Sequence, residues 1–562
     1  MADEYLDLVN KKKAEFSDLF NRMDADKKLL TLSSYTMQDK DGRDEPDVDN
    51  ITMNDAAIYA DMVHTTLIRA EVSPEVEGEH LKDKETSLVE NFIRDIELEA
   101  DTAISNNDIP SFKNWEVMQA CDRGRIARRI TLRLDEEDDN KLAKDCFTAI
   151  DTRYLLYEPS IYGYKWVASE LPRSKEDIKE EYDIDIPGTS AIVTDFWDKE
   201  VNCVYVGKER VKEEDNYYKE PPFVIEVVPF GLLTMDDDRI LYSGESIFAK
   251  NRTLYAEKNL FGTIMKSLTV RSFFNGLQLE VNDVALAKKP KEPPYGKKFV
   301  VPVEKGTKGY FSMPIEDLNN AAQMFYSMID SALQEGALPK VSYGNLQFPL
   351  TGVAITSLKE AEDSVYFPRI QGLTKFWQRV YRMVIKQYIA QKLNIELGEE
   401  GFRNRYGYKD LDLSYSIKFH YFVSSPKEDM VNISTAAAVG DLVSDDTKMR
   451  DYLHIKDPTV EGQKKLAEKA ARMSPAVAMY DTIKALFDQG EKIKANIMAT
   501  EMGFKLDELL SGNMGESSNP LGMGQKPTQL MPLFNGAGGG IRTPESPAPP
   551  EQGIPQNTGG KQ

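Results

Sequence analysis

Four histidines, His64, His80, His420 and His454, are the side chains best suited to metal binding or to general acid–base work near neutral pH. None stands at helical ligand spacing from another, and neither H-E-x-x-H nor H-x-E…C-x-x-C occurs. Lone histidines of this kind read as structural. The three cysteines, Cys121, Cys146 and Cys203, are odd in number, widely spaced and without a C-x-x-C pattern, which argues against a disulfide scaffold and a thiolate metal site. No G-x-S-x-G nucleophile elbow is present. The nearest approach to a phosphate loop, Gly522 to Lys526 in G-M-G-Q-K-P, sits in a Gly/Pro-rich tail with no strand or helix signal around it. No cofactor is expected, and no catalytic residue or metal ligand is assigned.

Charge clusters remain. Asp135-Glu136-Glu137-Asp138-Asp139 and Asp236-Asp237-Asp238 lack the alternating spacing and the glycine of a calcium loop, and read as solvated turns. Arg123, Arg125, Arg128, Arg129 and Arg133 form a basic run that reads as a structural helix or strand paired with the acidic run just after it. A second basic run holds Lys288, Lys289, Lys291, Lys297, Lys298, Lys305 and Lys308 against Glu292 and Glu304, a local +5. Pro290, Pro293, Pro294 and Tyr295-Gly296 keep it extended and rich in turns. Two readings stand for it: a solvated loop, or a surface that touches a partner or DNA.

The background to these clusters is acidic. The chain of 562 residues carries 92 Asp and Glu against 70 Lys and Arg, a net charge of -22, so tight sequence-blind nucleic-acid binding over the whole surface is disfavoured. A hydrophobic share of 41% and a charged share of 29% are those of a folded soluble chain with room for several domains. Asp3, Glu4 and Asp7 occupy the place of a signal peptide's apolar stretch, and the apolar run near Phe223 to Leu233 is too short to span a bilayer. Cytoplasmic synthesis without membrane insertion is expected.

The elements that must carry these residues follow from periodicity. Helical patterns cover 3–30, Asn54 to Ala70 and Lys84 to Ala103. Strand-like runs follow at Thr152 to Tyr157, Gly163 to Val167, Ala191 to Trp197, Val201 to Val206 and Phe223 to Val228, with a short helix Lys175 to Tyr182 capped by Ser174. From Gly244 to about Phe274, Ile247, Leu254, Phe261 and Leu268 repeat every seven residues beside Ile264 and Met265, predicting one helix with a continuous apolar stripe. A second helix is predicted over Asp317 to Gln334. Between the two, strand-like Leu277 to Val281 and Lys298 to Val303 make a stalk with a β tip. Residues 354–395 are helical, with Pro368 expected near the start of the long helix and Phe376, Trp377, Val380, Tyr381, Val384 and Tyr388 on its apolar face. Strand-like Tyr415 to Phe422 precedes a helical region over 429–511. The fold class is α+β.

Two stretches, L-Y-S-G-E-S-I-F-A-K-N-R-T-L-Y-A-E-K-N-L (241–260) and F-P-L-T-G-V-A-I-T-S-L (348–358), together with F-P-R-I-Q-G-L-T-K-F-W (367–377), resemble the portal protein family of tailed bacteriophages. The order of parts is similar over most of the chain. The resemblance implies a mainly helical portal fold with N-terminal helices and an α+β, β-rich wing (1–240), a first stem helix (241–275), a small β clip (276–315) and a second stem helix (316–339). A tunnel region returning to the wing (340–428), a helical crown (429–511) and a disordered C-terminal tail (512–562) complete it. It implies a structural, non-enzymatic subunit of a homo-oligomeric ring, a dodecamer in most members, at one capsid vertex of the virion, assembled in the host cytoplasm. Its partners would be further copies of itself, the large terminase subunit, a neck or tail adaptor, and major capsid and scaffolding proteins. Double-stranded DNA would pass through the channel during packaging and ejection, held weakly and without sequence specificity. The clip lysines would meet a partner or DNA, and Lys340, Tyr343, Asn345, Gln347, Thr351 and Gly352 would lie near the tunnel constriction. Two other classes stay open: another phage structural ring, such as a head–tail adaptor or baseplate component, and a metal-dependent nucleic-acid enzyme whose dispersed carboxylates converge only in the fold.

The tail from Gly512 to Gln562 holds 11 Gly and 8 Pro in 51 residues, a density incompatible with a packed core. Deleting 513–562 is therefore predicted to leave the melting temperature and the assembly state unchanged, which calorimetry and light scattering would check; a clear loss of either would refute it.

Overall fold

The computed structural model describes residues 4–282, 300–305, 316–338, 352–501 and Leu506, apart from positions 47, 106–107, 136–137, 139, 233, 235, 237, 275–276, 400, 423–425, 454, 456–457, 474 and 489–490. With 52% helix and 21% strand the chain is α+β. It divides into two units, 1–463 and 464–562.

The N-terminal helical pattern is realised as two helices, Glu4–Glu15 and Ser17–Leu30, which lay Val9, Phe16, Leu19, Phe20 and Met23 on one face of a five-stranded sheet. That sheet is an antiparallel meander of Leu155–Ser160, Gly163–Ser174, Ser190–Trp197, Val201–Val206 and Glu209–Asp215. Side chains alternate between its faces. Leu156, Trp166, Ala168, Phe196, Cys203 and Tyr205 face the N-terminal helices, whereas Val193, Val204 and Val206 pack on Ile178 of the helix Lys175–Tyr182. Ser174 caps that helix by accepting a hydrogen bond from the Asp177 amide, as its sequence predicts.

Two expectations for this module need correction, and one strand was not foreseen. Thr152–Tyr154 is a 3-10 turn rather than strand, because the Asp151 carboxylate accepts the Arg153 amide and holds the chain in a turn. The strand after Gly163 runs on to Ser174 through Pro172-Arg173. Glu209–Asp215 is a strand although Val211 is its only apolar residue; it lies at the sheet edge, where charge is tolerated and blocks further pairing.

The meander is inserted into a three-stranded sheet in the order Phe147–Ala149, Arg125–Ile130, Phe223–Val227. This sheet joins the main core, which is built around the long helix Gly352–Ala390 and the helices Asp55–Arg69 and Asp83–Ser105. Phe376, Trp377, Val380, Tyr381, Val384 and Tyr388 are all buried there. Pro368 lies inside the long helix and not near its start. The missing amide removes the helical hydrogen bond that residue 368 would have made to the Ser364 carbonyl. A strand that composition hides, Glu71–Glu77, pairs antiparallel with Ser416–Phe422, and its Pro74 is accommodated because only one side of the strand is paired.

The second unit is helical among its described residues. Pro475–Asp488 and Lys492–Glu501 pack through Ile483, Ala495 and Ala499, and the helix Pro458–Met473 runs across the division between the units. The tail beyond 507 lies outside the described residues. No described helix is long and apolar enough to cross a membrane.

The basic run 123–133 is a strand with its approaches, and its arginines reach carboxylates well beyond the acidic run that follows it. Arg128, fully buried, makes a two-pronged contact with Glu97 (2.8 and 2.9 Å) and donates to Glu116 at 2.7 Å, while the Phe112 ring covers the guanidinium at 4.0 Å. Arg123 pairs with Asp151, Arg129 with Asp195 and Arg133 with Asp145. Sequence neighbours on a strand point to opposite faces, so each arginine meets whatever its own face encloses.

Beside this cluster, Asp101 accepts the Phe112 amide at 2.7 Å. Burial, and then the charge of Glu97, push its carboxyl up to about 6. A carboxyl whose folded-state pKa is raised binds its proton more tightly folded than unfolded. Its contribution is therefore fully present below the ordinary carboxylate range and is lost as pH rises through about 6. D101N keeps the acceptor without the charge. It should stabilise the protein at pH 8 by about 1 kcal/mol after allowance for partial exposure, and leave it little changed at pH 4. Urea denaturation at the two pH values would check this, and an equal effect at both would refute it.

Candidate functional site

The stalk is the feature on which the family resemblance rests, and its base is where most of its described residues lie. Its first helix is Arg252–Phe274, eight residues shorter at the start than the heptad pattern predicts. Gly244 and the residues after it form turns, and Ile247 is drawn into the main core by its amide bond to the Cys121 carbonyl (2.8 Å). Gly244 and Gly124 both have positive φ, +70 and +69. A Cβ on Gly124 would stand 1.8 Å from the Gly244 carbonyl oxygen, so only glycine fits this crossing.

Arg252 opens the helix from within an ion-pair network. It donates to Asp26 at 2.6 and 3.0 Å and to Glu245 at 2.7 Å, and Ser246 donates to Asp26 at 2.8 Å. Burial alone would lower the Arg252 guanidinium, but these two carboxylates raise it above its ordinary value. Arg22, nearby, is held down to about 10 by burial, with the Glu245 charge opposing this and the Arg125 and Arg252 charges adding to it. Nearly two turns further along, buried Lys258 bridges Asp55 (2.8 Å) and Asp330 (3.1 Å). Burial opposes its charge, and the two hydrogen-bonded carboxylates overcome that and raise its pKa.

The buried face of this helix is polar. Asn259, Thr263 and Ser267, four residues apart, accept the backbone amides of Met53, Ile51 and Asp49 at 2.8, 3.1 and 2.8 Å. The alternate residues Asn50 and Thr52 accept the amides of Met37 and Tyr35. The extended segment 49–53 is thus a strap bonded on both sides, with period two on the strap matched to period four on the helix. Gly262 lets the strap side chains come close: a Cβ there would lie 2.6 Å from Met53 Cε and 3.1 Å from Ile51 Cγ2, and the Met53 side chain would have to shift to admit it. The heptad stripe that dominates the sequence pattern is the less buried face: Ile264 and Leu268 are exposed. The available signal for the strap is N-x3-T-x3-S, a polar repeat at helical spacing.

The second helix spans Glu316–Glu335 and packs on the first through Phe261, whose ring meets Phe325 and Tyr326. Asn251 donates to the Leu333 carbonyl at 2.9 Å and ties its end to the first helix. Met324 (75% exposed), Phe325 and Met328 (60%) leave an apolar face uncovered. Beyond the first helix, Leu277–Val281 pairs with Val300–Glu304, in parallel.

Of the lysines predicted for the tip, Lys305 follows the second of these strands and is exposed. Lys288, Lys289, Lys291, Lys297, Lys298 and Lys308 lie outside the described residues, as do Lys340, Tyr343, Asn345, Gln347 and Thr351. Gly352 is the first residue of the long helix. His64 lies 2.8 Å from Asp122 and His420 2.6 Å from Glu75, each within the fold of the first unit. The three cysteines are buried and free. Among the described residues no group of three or more His, Cys, Asp or Glu is placed to hold a metal ion.

T263V keeps the shape of the helix face but removes the acceptor of the Ile51 amide. It should cost about 1–2 kcal/mol and speed hydrogen exchange at Ile51 and its strap neighbours, leaving the Arg125–Ile130 strand protected; T263S should restore both. Unchanged exchange in T263V would show that the ladder does not hold the strap.

No protein-family model matches this chain, and no curated protein sequence matches it.

Proposed function

We propose that this chain is a structural subunit of a phage portal ring, forming the channel for DNA packaging and ejection and the docking site for the terminase motor and the neck or tail proteins. The observation that carries this reading is the stalk. Two helices, Arg252–Phe274 and Glu316–Glu335, stand on a base held by ion pairs and flank a small β pair, and an apolar face of Ile264, Leu268, Met324, Phe325 and Met328 is left uncovered. A face of this kind calls for a partner, and repeated head-to-tail contact between identical subunits closes into a ring. On this reading 276–315 is the clip, 340–365 the constriction and 429–511 the crown.

Charge supports the same reading. Each Lys or Arg phosphate contact adds affinity, so a channel that moves DNA holds it best with few of them. The net charge of -22 suits such a wall, and the seven clip lysines would become a positive collar multiplied by the number of subunits.

Light scattering on the purified full chain at micromolar concentration should return a closed oligomer of many 63.6 kDa subunits, with a central hole in negative-stain images. A stable monomer would overturn the proposal, and Mg²⁺-dependent cleavage of DNA by the pure protein would favour the enzyme class instead.

A further inference from the structure

A cleft of about 570 Å³ opens where the N-terminal helices, the three-stranded sheet and the long helix meet. Its lining carries five cations, Lys12, Arg125, Arg239, Lys375 and Arg379, against two carboxylates, Glu158 and Glu226. Lys12 is held as well by Glu15 at 2.7 Å, outside the lining, and within the lining cations outnumber carboxylates in a chain of -22.

The carboxylates are already engaged. Glu158 takes Lys12 at 2.6 Å, and Glu226 takes Lys375 at 2.6 Å and Arg379 at 2.8 Å. Arg125 has neither. Only 4% exposed, it donates to the Tyr157 hydroxyl and to the carbonyls of Ile240 (2.9 Å) and Ser243 (3.2 Å), all neutral acceptors. Its Nε is buried without a hydrogen-bond partner. A buried guanidinium is ordinarily matched by a carboxylate or phosphate, because an uncompensated buried charge is costly. Here the cleft beside it is where such a group would sit. Phe16, Tyr157 and Tyr164 line the same space and offer ring surface to an apolar body.

From this juxtaposition we propose that the cleft is a binding site for a small organic phosphate, with the phosphoryl group toward Arg125, Lys375 and Arg379 and the organic body against the aromatic rings. A carboxylate carries one charge; a phosphate monoester carries about 1.5–2 at neutral pH and presents three acceptor oxygens, the better match to a lining richer in cations than in carboxylates. The volume falls within the range of about 300–1,000 Å³ common for small-molecule sites.

Titration calorimetry on the full chain with adenosine monophosphate and with inorganic pyrophosphate tests the proposal. One saturable site per chain is expected, with affinity falling as salt rises. R239Q/K375Q changes two cations near the cleft mouth; Lys375 is largely exposed and Glu226 keeps Arg379, so the melting temperature should hold while affinity falls at least about tenfold. Glutarate, a dicarboxylate, should bind far more weakly than either phosphate. Absence of saturable binding at millimolar probe, equal binding by the double variant, or glutarate binding as tightly as pyrophosphate would each overturn the proposal. Binding that vanishes when subunits associate and returns on dissociation would also overturn it, by showing that an acidic side chain of a second copy fills the cleft.

Discussion

Arg128 cannot be buried alone. A guanidinium with no exposed surface has five donors to satisfy and a charge to balance, and the fold of the first unit is arranged around meeting that demand. Glu97 comes from the helix Asp83–Ser105, Glu116 from Phe112–Met118, and the ring of Phe112 closes one side. The long helix is brought to the same point by the carboxylates: Tyr381 donates to Glu97 at 2.7 Å and Trp377 to Glu116 at 2.6 Å. Segments nearly 300 residues apart in sequence share one hydrogen-bond network. Burial, set against the Arg128 charge, leaves the Glu116 carboxyl raised to about 7, whereas the two-pronged contact holds Glu97 below its ordinary value despite its burial. Removing one partner from such a network typically costs about 3–5 kcal/mol, although the intact network contributes far less than that relative to apolar packing. Its effect is therefore on register: one arrangement of these four segments satisfies every charge, and slipped arrangements strand one.

The same device recurs at the base of the stalk. Asp26, Glu245, Arg22 and Arg252 join the helix Ser17–Leu30 to the turn after Gly244 and to the first residue of the stalk helix. The direction in which that helix leaves the core is thereby set by ion pairs at its foot, by the glycine crossing at Gly124 and Gly244, and by the strap along its polar face. Apolar contact between the stalk helices adds Phe261 against Phe325 and Tyr326, but it leaves most of the outward apolar side chains without cover. The stalk is thus anchored at its base by directional bonds, and Ile264, Leu268, Met324 and Met328 remain exposed along it.

Interior use of arginine also shapes the exterior. Arg123, Arg128 and Arg129 are committed to carboxylates within the fold, and Arg125 to neutral acceptors beside the cleft; Arg133 pairs with Asp145 at the surface. Cations in this part of the chain are thus spent on joining segments, and the acidic excess of the composition is left to the surface. The proposed weak hold on DNA and the proposed phosphate cleft are both consequences of where these few cations went.

Periodicity by itself determined most of the elements. The apolar face of the long helix, the strands Val201–Val206 and Ser190–Trp197, the Ser174 cap and the helix Glu316–Glu335 are local patterns whose physical cause, one face turned to a core, lies within a few residues of each position. Strands without apolar alternation were not legible. Glu71–Glu77 is a strand because the sequence-distant Ser416–Phe422 lies beside it, and Glu209–Asp215 because it folds straight back on Val201–Val206 at a sheet edge. The start of the stalk helix at Arg252 depended likewise on a tertiary bond, from the Ile247 amide to the Cys121 carbonyl, made where a longer helix would have bonded internally. For the candidate site the division is sharper. Composition showed which charges are scarce, but a pairing such as Arg128 with Glu97 and Glu116, or Arg125 with no carboxylate among the described residues, is decided by which faces the fold brings together, and sequence distance carries no information about that.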